Sequence, residues 1–140
     1  MQRIDSRRVL QAGFISGLVI NISEYLLNEI VLREDIAAVM TARNLPPISG
    51  EAIAAFVVLA FILGLALVWL YAAIYPKFGI GAKSGMISAA IVWFLAYFWS
   101  TAFYCALGLF PSHVFFISLA WGSVELSIAA IIGGKIYSRA

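Results

Sequence analysis

The stretch VLQAGFISGLVINISEYLLNEIVL, residues 9–32, decides how the rest of the chain is read. It is long enough to cross a hydrocarbon core, which takes about 20 helical residues. Yet it carries groups that a lipid-facing helix avoids. At about 100° per residue, Gly13, Gly17, Asn21, Glu24 and Asn28 fall within an arc of about 80°. The two glycines let a neighbouring backbone approach closely, and an amide, a carboxylate and a second amide follow on the same face. Such a face predicts a helix buried among other helices.

Three further apolar blocks, 52–75, 85–110 and 114–134, are each long enough to span. With 64% hydrophobic and 11% charged residues, the chain lies outside the range of soluble domains. It has no alternating segments of about ten residues to suggest a barrel, and lipid admits only helices or closed barrels. The expected fold is an all-α membrane protein, one transmembrane domain over residues 1–140. It is a four-transmembrane-helix bundle with short loops and one short outer interfacial helix.

Lysine and arginine set the orientation. Arg3, Arg7, Arg8, Lys77, Lys83, Lys135 and Arg139 fall on one side, and only Arg33 and Arg43 on the other. That bias predicts both termini in the cytoplasm, as in a bacterial inner-membrane protein. The net charge of +2 mostly reflects it. The expected partner is therefore the anionic face of a lipid bilayer, with no nucleic acid. The basic start and apolar run are read as a retained helix, because the run is long, polar at Asn21 and Glu24, and lacks a small-residue cleavage site. The lone Cys105 lies inside the third block and offers no intramolecular disulfide.

In the connection from Arg33 to Gly50, Ile36 to Met40 predicts a short helix ending at Asn44 and stopped by Leu45-Pro46-Pro47. It either lies at the outer interface, covers the bundle or serves as a solvated connector. In the second block Ala60 and Gly64 form a small-xxx-small pair, and Trp69, Tyr71 and Tyr75 read as an interfacial aromatic belt. The turn Pro76-Lys-Phe-Gly-Ile-Gly-Ala-Lys-Ser-Gly85 has glycines like a phosphate loop, but lacks the Gly-Lys-Ser/Thr order and a preceding strand. It reads as a flexible turn with lysines on lipid phosphates.

The third block sets Tyr97, Ser100, Thr101, Tyr104 and Gly108 on one face, with Trp93 beside them. The fourth sets Ser118, Gly122, Glu125, Ala129 and Gly133 on one face. Gly13, Gly17, Ala60, Gly64, Gly122 and Gly133 are the expected packing positions. Ser16 and Ser23 lie off the polar stripe and can bond back to their own backbone. Helices 1, 3 and 4 are expected to turn their small and polar stripes inward, with helix 2 closing the side.

Glu24 and Glu125 carry the functional signal. An acid at a helix centre costs about 2.5–3.5 kcal/mol on insertion scales. Two acids sharing a dry site do not both ionise cheaply, so the pair is expected to hold a proton that it can exchange. Glu24 lies roughly 21 Å along its helix, and Glu125 falls within several ångströms of that depth, roughly. A water, a cation or Asn21 would bridge the difference. The alternative is structural: Glu24 bonded to Tyr97 or Thr101 would fix helix register, at about 0.6 kcal/mol per bond.

A four-helix membrane protein with a glutamate in helix 1 resembles the small multidrug resistance transporters in outline, through helix count and Glu24. The resemblance would put Glu24 where that family exchanges protons for a cationic drug. The longer outer loop and Glu125 are additions to that pattern.

No catalytic set emerges. One histidine, His113, and one cysteine make no metal set, no Glu-x-x-His pair is present, and no motif names a cofactor. The expected function is a small proton- or cation-linked carrier or channel. Its polar centre is built on Glu24 and Glu125, with Asn21, Asn28, Tyr97, Ser100, Thr101 and Tyr104 around them. The alternative is a non-catalytic accessory or assembly subunit of a larger membrane complex, with Phe94, Phe98, Phe115, Phe116 and Trp121 against a partner, a lipid or a pigment. A homo-oligomer or a place in such a complex is expected on either reading.

Overall fold

The computed structural model describes residues 4–139, and these form an all-helical structure, 87% helix with no strands. Four helices are long and apolar enough to cross a membrane: Ser6–Val31, Gly50–Phe78, Ala82–Ala106 and Ser112–Arg139. They correspond to the four blocks above and are called spans 1 to 4.

Local chemistry explains where each helix starts and stops. Asp5 caps span 1, its carboxylate accepting from the Arg7 and Arg8 amides. Ser49 caps span 2 by accepting from the Ala52 amide at 3.2 Å. Span 2 closes soon after Pro76, at Gly79 with φ 92°. Asn44 at φ 51° ends the short helix Arg33–Ala42, and Gly108 at φ 66° follows the end of span 3. Span 3 therefore stops at Ala106, short of the predicted residue 110; span 1 ends at Val31, one residue before the predicted 32, and spans 2 and 4 run past their apolar blocks at both ends.

Two spans contain π-helical stretches. The α-helix Ser6–Leu26 runs into a π turn over Leu27–Val31. Span 3 is α-helical over Ala82–Val92, π-helical over Trp93–Phe98 and α-helical again over Trp99–Ala106. A π stretch turns every later side chain away from the face that an ideal helix would give it.

Consecutive spans lie side by side, and span 4 returns against span 1. The tightest approach joins spans 1 and 2. A Cβ on Gly64 would overlap the Gly17 amide nitrogen and stand 2.6 Å from the Gly13 carbonyl oxygen. Span 2 does more than close the side of the bundle, because Leu67, Val68 and Tyr71 are among its most deeply buried residues.

The core is stacked in three layers. Val9, Ala12, Val68, Tyr71, Ala72 and Tyr137 fill the end that carries the termini. Ile20, Leu67, Val92, Leu126 and their neighbours fill the middle. Leu27, Leu32 and Val114 fill the far end, with Ile36, Phe110, Ile117 and Trp121 packed against them. Small residues line the contacts: Ala12, Gly13, Ser16, Gly17, Gly122, Ala129 and Gly133 are buried. Large apolar ones such as Phe14, Phe56, Leu95, Trp99 and Phe116 face outward. Small inside and large outside suits a lipid solvent, where close backbone contact, not apolar burial, drives helix association.

The aromatic belt is corrected at Tyr71. It is buried, its ring covers Gly134, and its hydroxyl accepts from the Gly81 amide at 3.1 Å. Trp69 is exposed as expected and Tyr75 is half-buried, stacked on Tyr71. The glycine-containing turn is a tight link, with Gly79 and Gly81 at positive φ and the Ser84 hydroxyl donating to the Gly79 carbonyl.

Arg7, Arg8, Lys77, Lys83, Lys135 and Arg139 gather at the end carrying the termini, and Arg33 and Arg43 lie at the other. Arg3 is outside the described residues. The helix Arg33–Ala42 is fastened at that far end: Asp35 meets His113 at 2.7 Å, and Arg43 donates to the Gly108 carbonyl at 2.6 Å. Ile36 packs against the Leu27–Leu32–Val114 layer, so the helix covers the bundle.

Candidate functional site

Spans 1, 3 and 4 bring three oxygen-bearing side chains together. The Tyr97 hydroxyl donates to Glu24 Oε1 at 2.7 Å and also lies within hydrogen-bonding distance of Glu125 Oε1. Asn28 donates to Glu24 Oε2 at 2.9 Å and to the Glu24 carbonyl at 2.8 Å. Glu125 is 3% exposed, and its Oε2 is buried without a hydrogen-bond partner. Glu24, Tyr97 and Asn28 are half-buried. No lysine, arginine or histidine pairs with either glutamate among the described residues.

Both π stretches border this cluster. Tyr97 sits inside Trp93–Phe98, and Asn28 inside Leu27–Val31, one turn after Glu24. π turns recur at functional sites because they re-aim side chains without ending the helix. Gly122 of span 4 makes room for the phenol: a Cβ there would overlap Tyr97 Cδ1 and stand 2.6 Å from Cε1. The missing Cβ at Gly122 thus lets the ring press against span 4, one helical turn from Glu125.

The predicted stripe on span 1 divides between two neighbours. Gly13 and Gly17 press against Leu65, Phe61 and Gly64 of span 2. Asn21 joins them, donating to its own Gly17 carbonyl at 2.9 Å and to the Val57 carbonyl of span 2 at 3.3 Å. Only Glu24 and Asn28 reach the carboxylate cluster. The expected bridge through Asn21 is therefore replaced by Tyr97.

The hydroxyl face of span 3 is likewise broken up. Ser100 bonds back to the Ala96 carbonyl. Thr101 is half-buried and takes no part in the cluster's hydrogen bonds, and Tyr104 is exposed. The π stretch upstream explains this, since the single face assumed an unbroken α-helical period.

Two serines set aside in the sequence hold spans together. The fully buried Ser16 donates to the Ala129 carbonyl of span 4 at 2.8 Å, beside Gly133. Ser23 accepts from the Trp121 indole at 2.9 Å. Trp121 therefore points inward, away from any partner face. The Trp93 indole donates to the Leu119 carbonyl at 2.9 Å and joins spans 3 and 4. Each such bond contributes about 0.6 kcal/mol, so the cross-links fix register more than they supply stability.

The clefts lie elsewhere. One of about 310 Å³ between spans 1 and 2 is lined by Leu18, Asn21, Ile22, Tyr25, Val57 and Phe61. Another of about 180 Å³ between spans 3 and 4 is lined by Met86, Ala89, Ala90, Trp93, Ser123 and Ser127. Neither contains Glu24, Tyr97 or Glu125. No group of three or more His, Cys, Asp or Glu gathers among the described residues as a metal site would need.

No family model, curated protein or solved structure matches this chain. The outline resemblance to the small multidrug resistance transporters gains no support from them.

Proposed function

We propose that the chain is an integral membrane protein, with both termini cytoplasmic, whose Glu24–Tyr97–Glu125 cluster takes up and releases a proton or small cation in the service of a small carrier. One observation carries this reading: two acids from different spans meet across a single phenol, with no cationic side chain among the described residues to neutralise them. A purely structural cross-link between helices needs one hydroxyl or amide, as at Ser16, and a second acid adds insertion cost without adding register.

Reconstituted protein tests the reading. Liposomes holding it should show pH-dependent ion flux, and Glu24→Gln should abolish that flux while leaving helix content and elution unchanged. Flux that survives the Glu24→Gln and Glu125→Gln changes together overturns it.

A subunit role is the second reading, favoured by the outward ridge of span 3, where Phe94, Leu95, Trp99 and Phe103 are all exposed. Mild purification from the native membrane separates the two. Stoichiometric recovery of another polypeptide supports a subunit, and a chain recovered alone or with copies of itself supports the carrier.

A further inference from the structure

We infer that the ligand of this cluster is a single proton, held at rest on Glu125, and that Tyr97 relays it to an ionised Glu24. The inference deepens the carrier reading and rests on it for the setting inside a bilayer. It begins with a count of protons. Tyr97 has one hydroxyl proton and stands between two carboxyl oxygens, Glu24 Oε1 and Glu125 Oε1. An ionised carboxylate only accepts, so one of the two contacts needs a proton supplied by a carboxyl group.

The surroundings decide which carboxyl supplies it. Glu24 is provided for as an acceptor on both oxygens, from Tyr97 on Oε1 and from the Asn28 amide on Oε2. Both donors stabilise its charge, and bonds to a charged acceptor are the stronger kind. Glu125 is almost wholly buried, and its Oε2 makes no hydrogen bond, although the Ser23 hydroxyl lies near the carboxyl. A charge there would stand in a dry site with half its acceptor capacity unmet, whereas a neutral carboxyl leaves only a carbonyl oxygen unpaired. Glu125 therefore donates through Oε1 to the Tyr97 oxygen, and Tyr97 donates to Glu24.

A metal cation fits the cluster poorly. Hard cations take about six oxygens or more, but here Glu24 Oε2 is occupied by an N–H and both Oε1 atoms are engaged by the phenol. Only Glu125 Oε2 is left free.

The transfer is one concerted step. The Tyr97 O–H bond breaks as an O–H bond forms on Glu24 Oε1. The Glu125 Oε1–H bond breaks as the Tyr97 oxygen takes that proton. Nothing is oxidised or reduced. One proton's worth of charge crosses from span 4 to span 1, and Tyr97 ends as the phenol it was at the start.

Infrared difference spectroscopy on the reconstituted chain tests this at neutral pH, where solvated carboxylates are ionised. The wild-type protein should show one carboxylic-acid C=O stretch that moves in heavy water and on labelling glutamate with carbon-13. Glu125→Gln should remove the band and Glu24→Gln should keep it. Tyr97→Phe should keep it at a higher frequency, because the acid has lost its acceptor, and should reduce proton flux with helix content and elution unchanged, which a merely structural tyrosine would not do. Saturating sodium or potassium chloride should leave it unchanged. The inference is overturned by a wild-type spectrum without the band, by loss of the band in Glu24→Gln alone, or by its disappearance on adding either salt. The labelled wild-type spectrum decides even where a variant fails to fold. Flux is scored separately: a Glu125 band without flux sinks the carrier alone, and Glu24-dependent flux without the band sinks the relay alone.

Discussion

At Gly122 a missing side chain holds a reactive one in place. The Tyr97 ring occupies the space where a Cβ would stand, and that position sets the phenol between Glu24 and Glu125. Gly122→Ala should push the ring aside, at a cost of about 1–3 kcal/mol for overpacking. It should reduce flux as Tyr97→Phe does, although it changes no polar atom. Gly50→Ala is the control, since open space surrounds that position, and its effect should stay within about 0.5 kcal/mol. Thermal unfolding in detergent, with flux measured in parallel, checks both. Glu24 and Glu125 were legible in the sequence because an acid inside an apolar run stands out against its insertion cost. Tyr97 was less so. Hydroxyls recur along span 3, and nothing in their spacing separates the one that bridges two acids from Ser100, which satisfies itself on its own helix.

Among the elements, spans 1 and 2 form the closest pair; the sequence marked Gly13, Gly17, Ala60 and Gly64 as packing positions but not that span 1 would meet span 2 through them. Any side chain at Gly64 would strike the backbone of span 1 and not the movable end of a side chain. Gly64→Leu should therefore separate the pair and lower stability by more than the roughly 1–3 kcal/mol typical of a single overpacked site. Ser16→Ala, by contrast, removes one bond to Ala129 and should cost about 0.6 kcal/mol. Chemical unfolding in mixed micelles would rank the two. The π stretches were not legible. A helical wheel assumes a fixed period, which the π stretch at Trp93–Phe98 breaks, and Tyr104 falls outside the cluster it was expected to join. The helix Arg33–Ala42 shows the same limit, because its apolar side was plain but its fastenings to His113 and Gly108 join residues 78 and 65 positions apart. The Asp35–His113 pair is solvent-exposed, so His113→Gln should change stability by no more than about 1 kcal/mol.

For the molecule as a whole, small residues inside and large apolar residues outside make sense only if lipid replaces water around the spans. The distribution of charge then selects one of two orientations. Six of the described Lys and Arg residues lie at the end carrying the termini, namely Arg7, Arg8, Lys77, Lys83, Lys135 and Arg139, against Arg33 and Arg43 at the other. Positive residues stay on the cytoplasmic side, so Asn44 should face outward and Gly79 inward. Single cysteines at these two positions, in a chain with Cys105→Ser, make the test. A membrane-impermeant thiol reagent applied to intact cells should label Asn44→Cys at once and Gly79→Cys only after permeabilisation. The opposite pattern would invert the orientation and leave the bundle standing. Labelling of both positions from one side would break the four-span topology.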